Sequence, residues 1–252
     1  MGKTRIIAVC GKGGVGKTSL SAVITKILIE NKKLKILAID ADPAVGLATA
    51  LGFHVQKTVD DIGNNLINNV GGIGKGNKKE IVLSLGYEVF GALEEKDNLA
   101  FLAIGRPEQE GCYCNVNGLL KDAIDPLTKD FDVVVIDGEA GIEQVNRRVL
   151  RSVTHLFLVS DASVKGMNVV RTIKQVADNA INFETAGLIL NRIKNEEEKN
   201  KVSIPDSLSL WGMIQENDAL RDMDRDGKTI FDVSIPPAED TMRKILEDLS
   251  FF

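Results

Sequence analysis

Gly11-Lys12-Gly13-Gly14-Val15-Gly16-Lys17-Thr18 fits two phosphate-binding templates at once. Gly11, Gly13 and Gly16 satisfy G-x-G-x-x-G, the dinucleotide turn, and Asp40 lies near where that fold keeps its ribose-binding acid. Gly11, Gly16, Lys17 and Thr18 satisfy G-x-x-x-x-G-K-[ST], the triphosphate loop. Lys17 and Thr18 break the tie. A dinucleotide pyrophosphate requires no lysine at the start of the helix. A triphosphate does: backbone N–H groups wrap the phosphates, the lysine neutralises β and γ oxygens, and the hydroxyl serves Mg²⁺. A cation in the first helical turn also opposes the macrodipole by a few tenths to ~1 kcal/mol, which a bound anion offsets.

The flanks support this reading. Arg5–Cys10 is an almost wholly apolar run, as in a parallel strand buried on both faces. From Lys17 to Glu30, Leu20, Ile24, Ile27 and Leu28 recur at helical spacing. Further strands are expected at 35–39, 99–104, 132–136, 155–160 and 186–190, with a weaker one at 208–214. Long helices are expected at 163–182 and 238–249. Thr58-Val59-Asp60-Asp61 reads as a capping box before a short helix. Residues 71–77 read as a flexible loop, 194–201 as a solvated one, and 81–93 as either strand or helix. Strands alternating with helices imply right-handed crossovers and an α/β fold: one P-loop NTPase domain over residues 1–252, with a mostly parallel central sheet and helices on both faces.

Two acidic elements complete the expected site. Asp137 ends the run Val133–Ile136, the position of an acid that holds a Mg²⁺ shell, and opens the loop Asp137-Gly138-Glu139-Ala140-Gly141. Asp40-Ala41-Asp42-Pro43 ends the second strand, so its loop also reaches the phosphates. The nucleotide-contacting set is then Gly11, Gly13, Gly14, Val15, Gly16, Lys17, Thr18 and Ser19, with Thr18, Asp40 and Asp137 around Mg²⁺.

Lys12 makes the loop K-G-G-V-G-K-T, which resembles the deviant Walker A ATPases related to MinD, ParA, the arsenite-pump ATPase and nitrogenase iron protein. The resemblance implies a homodimer in which Lys12 reaches the partner's nucleotide and acts in catalysis beside Lys17. It implies that Asp42 orients the attacking water, that Asp40 supports the Mg²⁺ shell, and that Asn191, followed by Arg192, meets the adenine edge.

Composition bounds the rest. The 252 residues hold 31 Lys and Arg against 36 Asp and Glu, a net charge of −5. That balance disfavours general phosphate-backbone binding. No apolar run reaches the ~18–20 residues that span a bilayer, and Met1–Cys10 lacks a signal-peptide layout. The expected location is the cytoplasm, with neither nucleic acid nor membrane as partner. Three cysteines do not make a disulfide scaffold. Cys10 lies in a strand. Cys112 and Cys114 sit among Glu108, Gln109, Glu110 and Asn115, polar neighbours unlike those of an inert buried thiol. A disulfide two residues apart closes a strained ring, and an unpaired redox thiol pair stays open. As metal ligands, two thiolates leave a tetrahedral or square-planar site incomplete, whereas a two-fold dimer supplies four.

The stretch Gly111–Leu120 resembles the C-x-C segment of CooC-type ATPases, and Gly138–Glu143 resembles their loop after the Walker-B acid. This resemblance implies ATP-driven delivery of Ni²⁺, with Zn²⁺ able to take the same site at Cys112 and Cys114. The client is then carbon monoxide dehydrogenase or, as for the related AcsF, acetyl-CoA synthase. Gly212-Met213-Ile214-Gln215 departs from the Gly-x-Ile-Pro that relatives often carry. Three other readings stand beside it. A ParA- or MinD-like positioning ATPase requires a DNA- or membrane-binding surface, which the acidic tail around Met242–Leu246 suits poorly. An iron–sulfur reductase requires a second, distant cysteine near 137–141, where none occurs. A Rossmann dehydrogenase leaves Lys17, Thr18 and Asp42 unexplained. His54 and His155 lack ligand spacing and read as structural.

Overall fold

The computed structural model describes residues 3–70, 78–106, 114–139, 142, 149, 152–195, 197–198 and 202–252. Among these, eight strands form one sheet: β1 (Arg5–Gly11), β2 (Ile36–Asp40), β3 (Glu94–Lys96), β4 (Leu99–Ala103), β5 (Val133–Asp137), β6 (His155–Ser160), β7 (Thr185–Ile193) and β8 (Ser209–Gln215). Their order is β3-β4-β2-β5-β1-β6-β7-β8. Every pairing is parallel except β3 with β4. Strands β2, β4, β5 and β6 are buried along their whole length, as expected where helices cover both faces.

The pleat sorts the apolar residues into two cores. Ile7 and Val9 of β1 join one core with helices α1 (Lys17–Ile29), α2 (Gly46–Leu51) and α8 (Pro236–Asp248). Ala8 and Cys10 point the other way, into a core with α3 (Val59–Val70), α4 (Lys78–Phe90), α5 (Cys114–Thr128) and α6 (Val164–Ala180). Each fully buried Leu, Ile or Val contributes roughly 1.5–3 kcal/mol, so both faces are strongly held. Helix α7 (Asp218–Asp226) sends Met223 into the first core.

Local signals explain the boundaries. Thr58 and Asp61 form the expected capping box: Asp61 N–H donates to Thr58 Oγ1 at 3.2 Å and Thr58 N–H to Asp61 Oδ2 at 2.8 Å. Ser163 caps α6 by accepting from Gly166 N–H at 2.9 Å. The ambiguous stretch 81–93 is mostly helix α4, whose inner face buries Leu85 and Val89. The short antiparallel β3 and helices α2, α5 and α7 are additions to the expected elements. Residues 71–77, expected as a flexible loop, and 107–113, including Cys112, lie outside the described residues, as do 140–141, 143–148, 150–151, 196 and 199–201.

Candidate nucleotide site

The phosphate loop joins β1 to α1 at the carboxyl ends of the strands. Gly16 caps α1 with φ 91°, a left-handed conformation that glycine adopts without strain. A Cβ at Gly11 would stand 2.1 Å from the Val159 carbonyl oxygen, so close packing of β1 on β6 requires glycine there. Gly13 and Gly14 are exposed, leaving the loop backbone open to a ligand. Lys17 is buried, and among the described residues its Nζ makes a long contact of 3.4 Å with the Lys12 carbonyl.

Asp137 feels the charge of this lysine, and a second carboxylate stands beside Asp137. Asp40 and Asp137 are cross-strand neighbours at the ends of β2 and β5, both buried. Asp137 Oδ1 accepts from the buried hydroxyl of Ser21 at 3.0 Å, while Oδ2 is buried without a hydrogen-bond partner. Burial pushes the Asp137 carboxyl up to about 6, against the lowering effects of Thr18, Ser21 and Lys17. Asp40 accepts from Asp42 N–H at 3.0 Å and Leu47 N–H at 2.7 Å. Burial, and then repulsion by Asp137, push it up to about 7. A buried carboxylate oxygen without a donor, beside a second acid and the Thr18 hydroxyl, is a donor set that fits a hydrated Mg²⁺.

Asp42 is half-buried on the loop after β2, its Oδ1 accepting from Ala44 N–H at 2.9 Å. Three residues on, Val45 has φ 51°. A β-branched residue in this region costs on the order of 1–3 kcal/mol, and such strain clusters at sites that move.

Lys12 forms an ion pair with Asp161, Nζ to Oδ2 at 2.8 Å. Asp161 follows β6 and also stands at the carboxyl end of the sheet. Burial raises its carboxyl, but hydrogen bonds from Lys12 and Ser163 outweigh it and hold Asp161 below the usual carboxylate value. Asn191, buried in β7, donates from Nδ2 to the Val15 carbonyl at 2.8 Å. The residue expected at the base edge thus braces the phosphate loop. Arg192, at φ 59°, joins Asn191, Gly16, Ser19, Gln215 and Asn217 around a cavity of about 170 Å³ beside the loop. Gln215 ends β8 at this cavity.

The structure therefore brings together Lys12, Lys17, Thr18, Asp40, Asp42, Asp137 and Asn191. Ser21 and Asp161 belong with them although neither was expected. Cys10 is wholly buried, and burial pushes its thiol up to about 12. His155 pairs through Nδ1 with Thr154 Oγ1 at 2.7 Å and packs on Phe251. Cys112 lies outside the described residues. Cys114 is the first residue of α5. Among the described residues no group of three or more His, Cys, Asp and Glu is placed to hold a metal ion, and no helix is long and apolar enough to cross a membrane.

The family model for the CobQ/CobB/MinD/ParA nucleotide binding domain matches residues 6–230. An uncharacterized ATP-binding protein of Methanocaldococcus jannaschii is 35% identical over 251 residues, covering 96% of both chains. The carbon monoxide dehydrogenase accessory protein CooC of Rhodospirillum rubrum is 24% identical over 253 residues, covering 96% of this chain and 95% of CooC. The crystal structure of the Pyrococcus furiosus cell division ATPase MinD matches with a TM-score of 0.67 at 21% identity, covering 98% of this chain and 99% of MinD.

Proposed function

The chain belongs to the CobQ/CobB/MinD/ParA nucleotide-binding family and is an ATP-hydrolysing P-loop enzyme, and we propose that it works as a nucleotide-gated dimeric switch of the MinD/ParA type. The carrying observation is the Lys12–Asp161 pair: a signature lysine held on its own subunit, at the rim of its own phosphate loop. When ATP fills both loops, Lys12 leaves Asp161 for the partner's triphosphate. Two copies close, a partner reads the closed surface, and hydrolysis releases it.

Within one subunit the roles follow from position. The loop N–H groups and Lys17 hold the β and γ phosphates. Thr18, Asp137 and Asp40 would hold the hydrated Mg²⁺, which would offset phosphate charge. Asp42 orients water toward the γ-phosphate, and Asn191 and Arg192 face the base from the neighbouring cavity. Lys17→Ala tests the foundation: nucleotide affinity should fall below detection by calorimetry, and retained affinity would remove the phosphate assignment.

What the switch acts on has two readings. The prevalence of MinD- and ParA-like proteins among its structural relatives supports a positioning ATPase that recruits a partner to a surface. Helix α8 does not serve as its membrane anchor, because Ala238, Met242, Ile245 and Leu246 are spent in the core. The second reading is nickel delivery to carbon monoxide dehydrogenase or acetyl-CoA synthase. It rests on Cys112 and Cys114 and on the end-to-end similarity to CooC. Nickel or zinc bound per ATP-closed dimer, measured in the wild type and in Cys112→Ala/Cys114→Ala, separates the two. Equal metal content in both proteins removes the delivery reading.

A further inference from the structure

Helix α4 is apolar on two sides. Its inner side buries Leu85 and Val89. Its outer side carries Leu83, Tyr87 and Phe90, which are 62%, 72% and 61% exposed. The spacing i, i+4, i+7 makes them one stripe along the helix. Only four other large apolar residues among those described are exposed, and none lies on this helix. The stripe flanks a groove of about 470 Å³, floored by Val82, Ala123, Pro126 and Leu127 where α4 meets α5. A second cavity of about 270 Å³ continues from it past Phe90 and Leu127 toward the starts of β2 and β4.

The location separates this groove from the nucleotide dimer. Its continuation is lined by Lys35, Leu99 and Phe131, which stand at the amino ends of β2, β4 and β5. The phosphate loop stands at the carboxyl ends. Closing two copies over their nucleotides therefore leaves the groove open.

The charge around it narrows the occupant. The charged residues lining the two cavities are Asp122, Asp130, Glu95 and Asp97 against Lys35 alone. Asp122 is paired with Lys78 at 3.0 Å. Such a rim repels an anionic bilayer and attracts lysine and arginine. The 13-residue α4 offers a wall about 20 Å long, enough for three to four turns of a helix laid beside it.

We propose that the α4–α5 groove docks an amphipathic helix of a partner protein, its apolar face against Leu83, Tyr87 and Phe90 and its basic flank against Asp130, Glu95 and Asp97. The site is independent of the nucleotide reading, since it shares no residue with the phosphate loop. It also lies along α5, the helix that begins at Cys114.

The test uses the full chain and two labelled 18-residue helical peptides, one of leucine and lysine and one of leucine and glutamate, in fluorescence anisotropy. The leucine–lysine peptide should bind at least about tenfold tighter than its acidic counterpart. Leu83→Ser with Tyr87→Ser should weaken it by about tenfold or more, with ATP turnover and melting temperature unchanged because both side chains are exposed. Glu95→Gln/Asp97→Asn/Asp130→Asn should weaken it too and flatten its salt dependence. Equal binding to the wild type and the Leu83→Ser/Tyr87→Ser protein overturns the proposal. So does preference for the acidic peptide, co-sedimentation of the wild type alone with phosphatidylglycerol vesicles, or nucleotide-free self-association lost in the double variant.

Discussion

Lys12 Nζ lies 2.8 Å from Asp161 Oδ2 within one subunit, although its loop resembles those whose extra lysine serves the opposite subunit. Both side chains are about a quarter exposed, so the pair is worth no more than ~1 kcal/mol. That is weak enough for a triphosphate to displace and strong enough to bias the open form. If closing moves Lys12 off Asp161, Asp161→Asn removes an interaction that the open form alone keeps. The concentration of ATP analogue giving half-maximal dimer should fall by about two- to fivefold, as read by sedimentation; an unchanged midpoint removes the latch.

Asp42→Ala should leave nucleotide affinity and dimerisation intact and lower turnover by about 10²-fold or more, the usual size of a lost water-orienting base. Phosphate-release kinetics check this. Turnover within a fewfold of the wild type shows that another group orients the water.

Ser21→Ala deprives Asp137 Oδ1 of its buried donor. Stability should fall by about 1–3 kcal/mol in urea unfolding. Mg²⁺ affinity of the ADP complex should also fall, while Mg²⁺-free ADP affinity holds. Ser21→Thr keeps the hydroxyl and should restore Mg²⁺ binding; failure of that rescue shows that Ser21 matters only for packing.

The raised carboxyls of Asp40 and Asp137 predict a pH dependence of definite sign. In the folded chain both bind protons more tightly than in the unfolded chain, where the ordinary value is 3.8. Their contribution to stability is therefore greatest below about pH 4 and is lost as pH rises through about 6 to 7. Without Mg²⁺ and nucleotide, this pair should lower the melting temperature between pH 5.5 and 8. Asp40→Asn should flatten that fall, and Mg²⁺-ADP should stabilise more at pH 8 than at pH 5.5. A slope unchanged in Asp40→Asn assigns the effect to other groups.

Much of this arrangement was legible in the sequence because single residues carried the chemistry. Gly16, Lys17 and Thr18 fixed the phosphate loop, and Asp40 and Asp137 marked the ends of apolar strands. Asp161 follows another such strand, His155–Ser160, and the same signal would have found it. Ser21 lies one helical turn beyond Lys17, so the side chain facing the site was inferable, but not which carboxylate it meets. Helix α4 was ambiguous because Leu83, Tyr87 and Phe90 make its solvent side as apolar as its packed side. The edge strand β3, Glu94-Glu95-Lys96, has no apolar alternation to announce it. Asn191 was expected at a base edge only from the resemblance to deviant Walker A ATPases; its bond to Val15 depends on how β7 passes the loop, which sequence spacing does not encode.

The central claim is that ATP closes two copies through Lys12. Sedimentation velocity of the wild type and Lys12→Ala, each with a non-hydrolysable ATP analogue and Mg²⁺, tests it most directly. The account predicts conversion of the wild type from monomer to dimer, with Lys12→Ala binding the analogue through Lys17 and staying monomeric. Dimer formation by Lys12→Ala at the same analogue concentration would contradict it.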